Sequence, residues 1–262
     1  MRKTKIICTI GPASESEAVF TQMCKAGLNV ARLNFSHGNH EEHLKRIRTI
    51  RKVREELKLP IPIMLDTKGP EYRIGVFKDH RVTLADGQDF TFTTEDIEGD
   101  ETRVSVSYKG FAKDLRKGDR VLVNNGLVVC TVKEINGNDV LCRVDIGGEL
   151  SDRKSMNFPG RLMSNAFLSE QDKKDLLFGI EQDVDYVAAS FMSTKEDALE
   201  MRNFLDENGG QDIDIIAKIE NQSGVDNVEA ISEVVDGIMV ARGDLGVEIP
   251  FVEVPAIQKR LT

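Results

Sequence analysis

The stretch that decides the fold reads NVARLNFS at residues 29–36 and, after a charged segment, IPIMLDTKG at residues 61–69. Both runs have the length and apolar content of short strands. Between them, apolar residues recur at helical spacing over about residues 40–58, and Pro60 ends the predicted helix. Strands joined by a helical crossover of this length pair in parallel, so the sequence predicts an α/β fold.

The alternation of strands and helices continues on both sides of this stretch. TKIICTI at residues 4–10 predicts an earlier strand, and Ser14 with Glu17 forms a capping-box pattern for a helix that stops at Gly27. DYVAASF, DIIAKIEN and DGIMVARGD predict three later strands, with helices expected at residues 169–181, 194–205, 225–235 and from 254 onward. The chain is therefore expected to hold about six βα units.

Between the third and fourth strands of this α/β pattern, the sequence changes to short β-rich runs. Runs such as RVTLADG, DFTFTT and RVSVSY are short and closely spaced, and no helical period lies between them. Asn125-Gly126 and Asn136-Gly137 stand between β-rich runs, which is the strongest short-range hairpin signal. We expect residues 70–166 to form an inserted all-β domain, with residues 1–69 and 167–262 forming the α/β domain.

Composition excludes several classes of protein. Of 262 residues, 40% are hydrophobic and 30% charged, the balance of an ordinary globular protein. No apolar run approaches the roughly 20 residues of a spanning helix, and no signal-peptide pattern is seen, so we expect a cytoplasmic protein without a membrane partner. The net charge of −9 argues against a nucleic-acid partner. Four cysteines without CxxC spacing predict reduced thiols rather than a zinc site.

Polar side chains cluster where the predicted strands end. Arg32, Asn34 and Ser36 share one face of the second strand, and Asp66 and Thr67 follow the third. An edge strand with a solvated face is the alternative explanation for the second strand. In barrel enzymes, however, the carboxyl ends of the strands carry the site. These hard oxygen donors, with one carboxylate among them, suit a weakly charged cation.

Two later strands repeat the pattern. Lys218 and Glu220 share a face, and Arg242-Gly243-Asp244 follows the next strand. A cation beside two carboxylates suits Mg²⁺ gripping an oxyanionic substrate, and Gly243 lets backbone N–H groups approach it closely. A structural ion pair between Lys218 and Glu220 is the alternative. No P-loop, GxGxxG or kinase HRD pattern is present.

A series of motifs resembles the pyruvate kinase family. TKIICTIGPAS, GLNVARLNFSHG, IMLDTKGPE, ASF, IIAKIEN and GIMVARGDLGVEIP occur in this order and cover nearly the whole chain. The resemblance implies an A domain that is a TIM (β/α)8 barrel, interrupted after strand three by a mobile β-barrel lid, the B domain. Because eight units at about 30 residues each do not fit outside the insert, we expect a partial barrel, truncated after strand six.

The resemblance also implies roles for individual residues. Arg32 and Lys218 would contact the phosphoryl group of phosphoenolpyruvate, with Lys218 stabilising the transition state. Gly243 and Asp244 would lie under the substrate carboxylate. The ligands of Mg²⁺ (or Mn²⁺) would be Glu220 and Asp244, and those of K⁺ would be Asn34, Ser36, Asp66 and Thr67. ADP or ATP would be bound by Asn34, Phe35, Ser36, His37, Arg73 and Lys154.

The function implied is phosphoryl transfer from phosphoenolpyruvate to ADP, giving pyruvate and ATP in glycolysis, by a family whose full-length members form homotetramers. Two departures from the family pattern concern the insert: Asn124-Asn125 replaces two aspartates, and residues 161–167 differ from the usual return strand. We expect the chain alone to be weak or inactive. The alternatives are a fragment that binds phosphate and metal without chemistry, and a Mg²⁺-dependent aldolase-type barrel acting on phosphoenolpyruvate or pyruvate.

Overall fold

A computed structural model of the chain describes residues 3–262. Its strands are Ile7–Thr9 (β1), Val30–Asn34 (β2), Ile63–Asp66 (β3), Tyr72–Arg73 (β4), Arg81–Leu84 (β5), Asp89–Thr93 (β6), Arg103–Ser105 (β7), Arg120–Val123 (β8), Val128–Asn136 (β9), Asp139–Ile146 (β10), Gly148–Ser151 (β11), Ser155–Asn157 (β12), Tyr186–Ala189 (β13), Asp214–Ile219 (β14) and Gly237–Val240 (β15). Its α-helices are Glu17–Ala26 (α1), His40–Leu57 (α2), Phe111–Asp114 (α3), Glu170–Glu181 (α4), Lys195–Glu207 (α5), Gln222–Asp226 (α6), Val228–Ser232 (α7), Arg242–Glu248 (α8) and Val254–Leu261 (α9).

Six strands form one sheet in the order β1-β2-β3-β13-β14-β15. The pairs from β1 to β14 are parallel, and Asn34 lies opposite Asp66 in the register of β2 and β3. Each strand is added beside its predecessor without reversal, which is the order of a barrel rather than of a doubly wound sheet. The predicted fold class, an α/β fold with a partial TIM barrel of about six βα units, is confirmed.

The helix boundaries follow from local capping. Ser169 and Asp172 form a capping box at the start of α4, and Thr194 and Asp197 form one at the start of α5. Two expectations were wrong. The cap of α1 is Ser16, whose side chain accepts from the Val19 amide, and not Ser14. The helix expected over 225–235 is two short helices, α6 and α7.

Antiparallel strands dominate the middle of the chain. Seven strands form a sheet in the order β4-β12-β8-β9-β10-β6-β7, and β11 pairs with β5 in a separate ribbon. Both predicted hairpins are present, because β8 pairs with β9 and β9 with β10 in antiparallel fashion. Phe92 and Phe111 are fully buried in the core, with ring centroids 6.1 Å apart. Burying each such ring contributes roughly 2–3 kcal/mol.

Residues 161–166 are most of the segment 161–167 that departs from the family pattern, and hydrogen bonds hold them against the same part of the chain. Arg161 donates two hydrogen bonds to the Asp119 carboxylate, at 2.7 and 2.6 Å. The amide and hydroxyl of Ser164 both donate to Asp114, at 2.8 and 2.9 Å. Charge-assisted and bidentate bonds of this kind are the stronger hydrogen bonds in proteins. These bonds hold the segment against Asp114 and Asp119.

The chain divides into two compact units. The first comprises the residues up to Gly69 with 167–219 and 227–239, and the second comprises 70–166 with 220–226 and 240–262. The division expected from the sequence, with 70–166 as the whole of the second domain, stays a prediction. Within residues 3–262, no helix is both long and apolar enough to cross a membrane.

Candidate functional site

The site begins on β2, an interior strand. Ala31 and Leu33 are fully buried, whereas Arg32 and Asn34 on the other face are only partly so. Because β2 has neighbours on both sides, β1 and β3, the edge-strand explanation is wrong. The polar side chains of β2 therefore belong to an interior strand of the sheet, and Asn34 lies beside Asp66 at the end of β3.

Asp66, the last residue of β3, holds two cationic side chains. It is 1% exposed, and its Oδ2 accepts a hydrogen bond from Arg32 Nε. Its Oδ1 lies 3.0 Å from the Nζ of Lys218, which comes from β14 and is 8% exposed. Arg32 also donates to the Thr9 hydroxyl at the end of β1, at 2.9 Å. Arg32 from β2 and Lys218 from β14 thus bring two positive charges to the carboxylate at the end of β3.

Ser190, directly after β13, completes this group and was not predicted. Its Oγ lies 2.6 Å from Lys218 Nζ and donates to the Thr67 carbonyl at 2.6 Å. Its backbone amide donates to Thr67 Oγ1 at 3.1 Å. Ser190 is 2% exposed, so it fixes the Lys218 ammonium from inside the unit. The sequence could have indicated Ser190 as a site residue, because it is another polar residue that directly follows an apolar strand.

The turn after β2 presents several of the predicted ligands. Asn34 Oδ1 accepts from the Ser36 amide at 2.9 Å, and the Asn34 carbonyl accepts from the His37 amide at 3.3 Å. The Phe35 amide donates to the Asp66 carbonyl at 2.9 Å, which ties the turn to β3. Asn34, Ser36 and Asp66 therefore share one strand-end region, with Thr67 next to Asp66. Amide, hydroxyl and single carboxylate oxygens fit a monovalent cation.

The predicted magnesium ligands lie after β14 and β15. Glu220 follows β14 and is 1% exposed, whereas Asp244 is exposed in the first turn of α8. Two carboxylates fit Mg²⁺, which commonly takes one or two from the protein and the rest from substrate and water. A Cβ built at Gly243 would meet no atom within 4 Å, so open space borders this backbone. No group of three His, Cys, Asp or Glu residues suited to a metal occurs among residues 3–262.

Two predicted nucleotide ligands belong to the second unit. Arg73 in β4 is exposed and lies opposite Ser155 in β12, the residue after Lys154. The Lys154 carbonyl accepts from the Ile74 amide at 3.0 Å, and Arg73 Nη1 donates to the Arg153 carbonyl at 2.6 Å. The fold therefore brings Arg73 and Lys154 to one end of the β4–β12 pair.

Comparison with known proteins identifies the family. The model of the pyruvate kinase barrel domain matches residues 1–262. A pyruvate kinase of Clostridium acetobutylicum is 50% identical over 262 residues, which are the whole of this chain and 55% of that protein. Those of Clostridium perfringens and Staphylococcus haemolyticus are 48% and 49% identical, with 55% and 45% of their lengths covered. The chain spans about half the length of these curated relatives. On the whole-chain match and these identities, the chain belongs to the pyruvate kinase barrel-domain family.

Proposed function

We propose that this chain supplies the phosphoryl-transfer site of a pyruvate kinase, which moves the phosphoryl group of phosphoenolpyruvate to ADP and gives pyruvate and ATP. The observation that carries this proposal is the group formed by Arg32, Asp66 and Lys218, with Ser190 beneath it. The names of the relatives support the same reaction. A glycolytic role, a homotetrameric assembly and a cytoplasmic location accompany this proposal.

Phosphoryl transfer depends on positioning and charge neutralisation more than on covalent chemistry. Lys218 is well suited to this task because its ammonium is largely buried, where its charge acts more strongly than in water. Asp66 and Ser190 hold the ammonium in place before substrate binds. Arg32, partly exposed and held by Asp66, can turn its remaining N–H groups to the phosphoryl oxygens.

We propose that Glu220 and Asp244 hold Mg²⁺ and that Asn34, Ser36, Asp66 and Thr67 hold K⁺. Bound there, these ions would supply further positive charge to the phosphoryl group as negative charge develops on it. Gly243 suits contact with the substrate carboxylate, because the space beside its Cα is open. The residues proposed to bind the nucleotide are Asn34, Phe35, Ser36, His37, Arg73 and Lys154.

A coupled assay with phosphoenolpyruvate, ADP, Mg²⁺ and K⁺ tests the reaction. Two proteins are compared: the chain itself, and a chimera in which it replaces the matching 55% of the Clostridium acetobutylicum enzyme. We expect turnover by the chimera, and a loss of about 10²- to 10³-fold in kcat for Lys218→Met. Lys45→Met is the matched control, because Lys45 is 69% exposed on α2.

Calorimetry on the chain alone separates binding from chemistry. We expect phosphoenolpyruvate with Mg²⁺ to bind the wild-type chain and to bind Lys218→Met at least about tenfold more weakly, because a charge-assisted contact is lost. Equal affinity in the two proteins would contradict the assigned phosphate contact. Binding without turnover by the chimera would favour a phosphate- and metal-binding role, and pyruvate release by C–C cleavage would favour the aldolase-type barrel.

A further inference from the structure

A buried histidine supports the turn that follows β2. His43, in α2, is 1% exposed, and its Nε2 lies 2.9 Å from the carbonyl oxygen of His37. Its ring stacks on Phe35, with centroids 4.0 Å apart and planes 9° from parallel. Both partners belong to residues 35–38, the turn between β2 and α2. One side chain thus contacts the turn at two points.

The neighbours of His43 define where its proton lies. A carbonyl oxygen only accepts hydrogen bonds, so Nε2 must be protonated and donate to the His37 carbonyl. On the other side, Arg46 Nη1 lies 3.5 Å from Nδ1, and a guanidinium only donates. Arg46 is itself held by Glu15, at 2.7 Å. A neutral ring protonated on Nε2 satisfies both neighbours, and burial favours this form because it lowers the pKa of His43.

Packing around the ring leaves little room for the turn to move. Gly38 has a φ of +82°, and a Cβ there would lie 2.6 Å from Glu42 Oε2 and 3.5 Å from His43 Nε2. Within the described chain, His40, three residues earlier on α2, makes no hydrogen bond to the turn: its Nε2 lies 2.6 Å from Asp175 Oδ1, its ring stacks on Phe178, and its ring centroid is 6.2 Å from that of Phe35 in a tilted arrangement. His40 therefore offers a matched comparison on the same helix.

We propose that His43 is a positioning residue for the nucleotide: by donating to the His37 carbonyl and stacking on Phe35, it holds the turn in the form that presents Asn34, Ser36 and His37. This inference rests on the proposed function, in which that turn binds ADP. His43 itself acts through the turn. If the turn is released, only a fraction of molecules hold the binding form, and the apparent affinity falls by that fraction.

Two substitutions separate the hydrogen bond from the stacking. His43→Phe keeps an aromatic ring against Phe35 and removes the donor, whereas His43→Gln restores an N–H donor at a similar reach. His40→Phe is the matched control. Each variant of the full chain is measured for amide hydrogen exchange at Ser36 and His37, and for calorimetric Kd with Mg-ADP and, separately, with phosphoenolpyruvate.

We expect His43→Phe to speed exchange at Ser36 and His37 and to weaken Mg-ADP binding by roughly tenfold, the cost of one lost buried hydrogen bond. Measured without K⁺, the Kd for phosphoenolpyruvate should change less than twofold, because Asn34 and Ser36 are proposed to act on the phosphoryl group only through that ion. His43→Gln should recover most of the loss, and His40→Phe should resemble wild type in exchange. If His43→Phe does not fold, long-range ¹H–¹⁵N spectra of the wild type decide instead, since the proposal requires a proton on Nε2 and none on Nδ1.

Contrary outcomes are distinguishable. Unchanged Mg-ADP affinity in a folded His43→Phe, equal losses for both ligands, or a proton on Nδ1 would overturn the role of His43 while leaving the proposed function in place. Failure of the wild-type chain and of its chimera to bind Mg-ADP would overturn the proposed nucleotide site and this inference together.

Discussion

At the scale of single residues, Ser190 is the part of the site most open to test. Its hydroxyl lies 2.6 Å from the Lys218 ammonium and donates to the Thr67 carbonyl. Ser190→Ala removes both contacts in a buried position, so we expect a loss of about 1–3 kcal/mol in unfolding free energy and roughly tenfold weaker phosphoenolpyruvate binding. Chemical denaturation and calorimetry measure the two effects. Ser232→Ala, on an exposed face of α7, should change neither.

The pH dependence of stability provides a second test at this scale. Burial lowers the pKa of His43 below its ordinary 6.5, opposed by the His37 carbonyl and the charges of Asp175 and Glu42 and assisted by Arg46. The unfolded chain therefore takes up a proton near pH 6.5 that the folded chain does not, and stability falls as pH drops through this range.

Urea unfolding at a series of pH values between about 8 and 5.5 measures this effect. We expect the midpoint of wild type to fall more steeply below the ordinary pKa than that of His43→Gln, whose side chain does not titrate. Parallel midpoint curves for the two proteins would show that the folded-state pKa of His43 is not lowered.

The sequence predicted part of this site, for a physical reason. Arg32, Asp66 and Lys218 interrupt apolar strands, and the structure brings these three side chains together. Ser190 follows the same rule but is a small, common residue, so its position carried little weight alone. His43 lies on a helix face among apolar residues, and only the packing of α2 on the turn reveals its partner. Contacts across elements are not encoded in local spacing.

At the scale of secondary-structure elements, the link between β3 and α4 can be tested through one carboxylate. Asp172 completes the capping box with Ser169 through Oδ2, and its Oδ1 accepts from the Gly69 amide at 3.1 Å. Ser169→Ala should cost about 1 kcal/mol, as for other helix caps. Asp172→Ala should cost more, because it also leaves a buried amide without its acceptor. Denaturant midpoints measure both, and equal costs would contradict the role of the Gly69 contact.

Elements with strong local signals were predicted best. α2 has a continuous helical period and an end marked by Pro60, and both Asn-Gly hairpins have turn residues that favour positive φ. The break between α6 and α7 was missed. Asn227 lies at this break, and its side chain donates to the Ser193 carbonyl at 2.9 Å. That contact joins residues far apart in the chain, so apolar periodicity did not reveal it.

At the scale of the whole molecule, the cysteines report on the two compact units separately. Cys24 is buried in the first unit, whereas Cys130 and Cys142 are fully buried in the core of the second. Burial raises the pKa of both core thiols, that of Cys130 to about 12, so neither forms a reactive thiolate near neutral pH. Cys8 is only partly buried.

These differences predict an order of alkylation. In native buffer near pH 8 we expect Cys8 to react first, and Cys130 and Cys142 to react slowly and together, since both need the core of the second unit to open. Peptide mapping after timed alkylation measures each site, and Cys8→Ser should remove the fast phase alone. The ratio of the Cys24 rate to that of the core pair then compares the opening of the two units. Rapid modification of Cys130 in native buffer would contradict the packing described for the second unit, because its thiol is fully buried there.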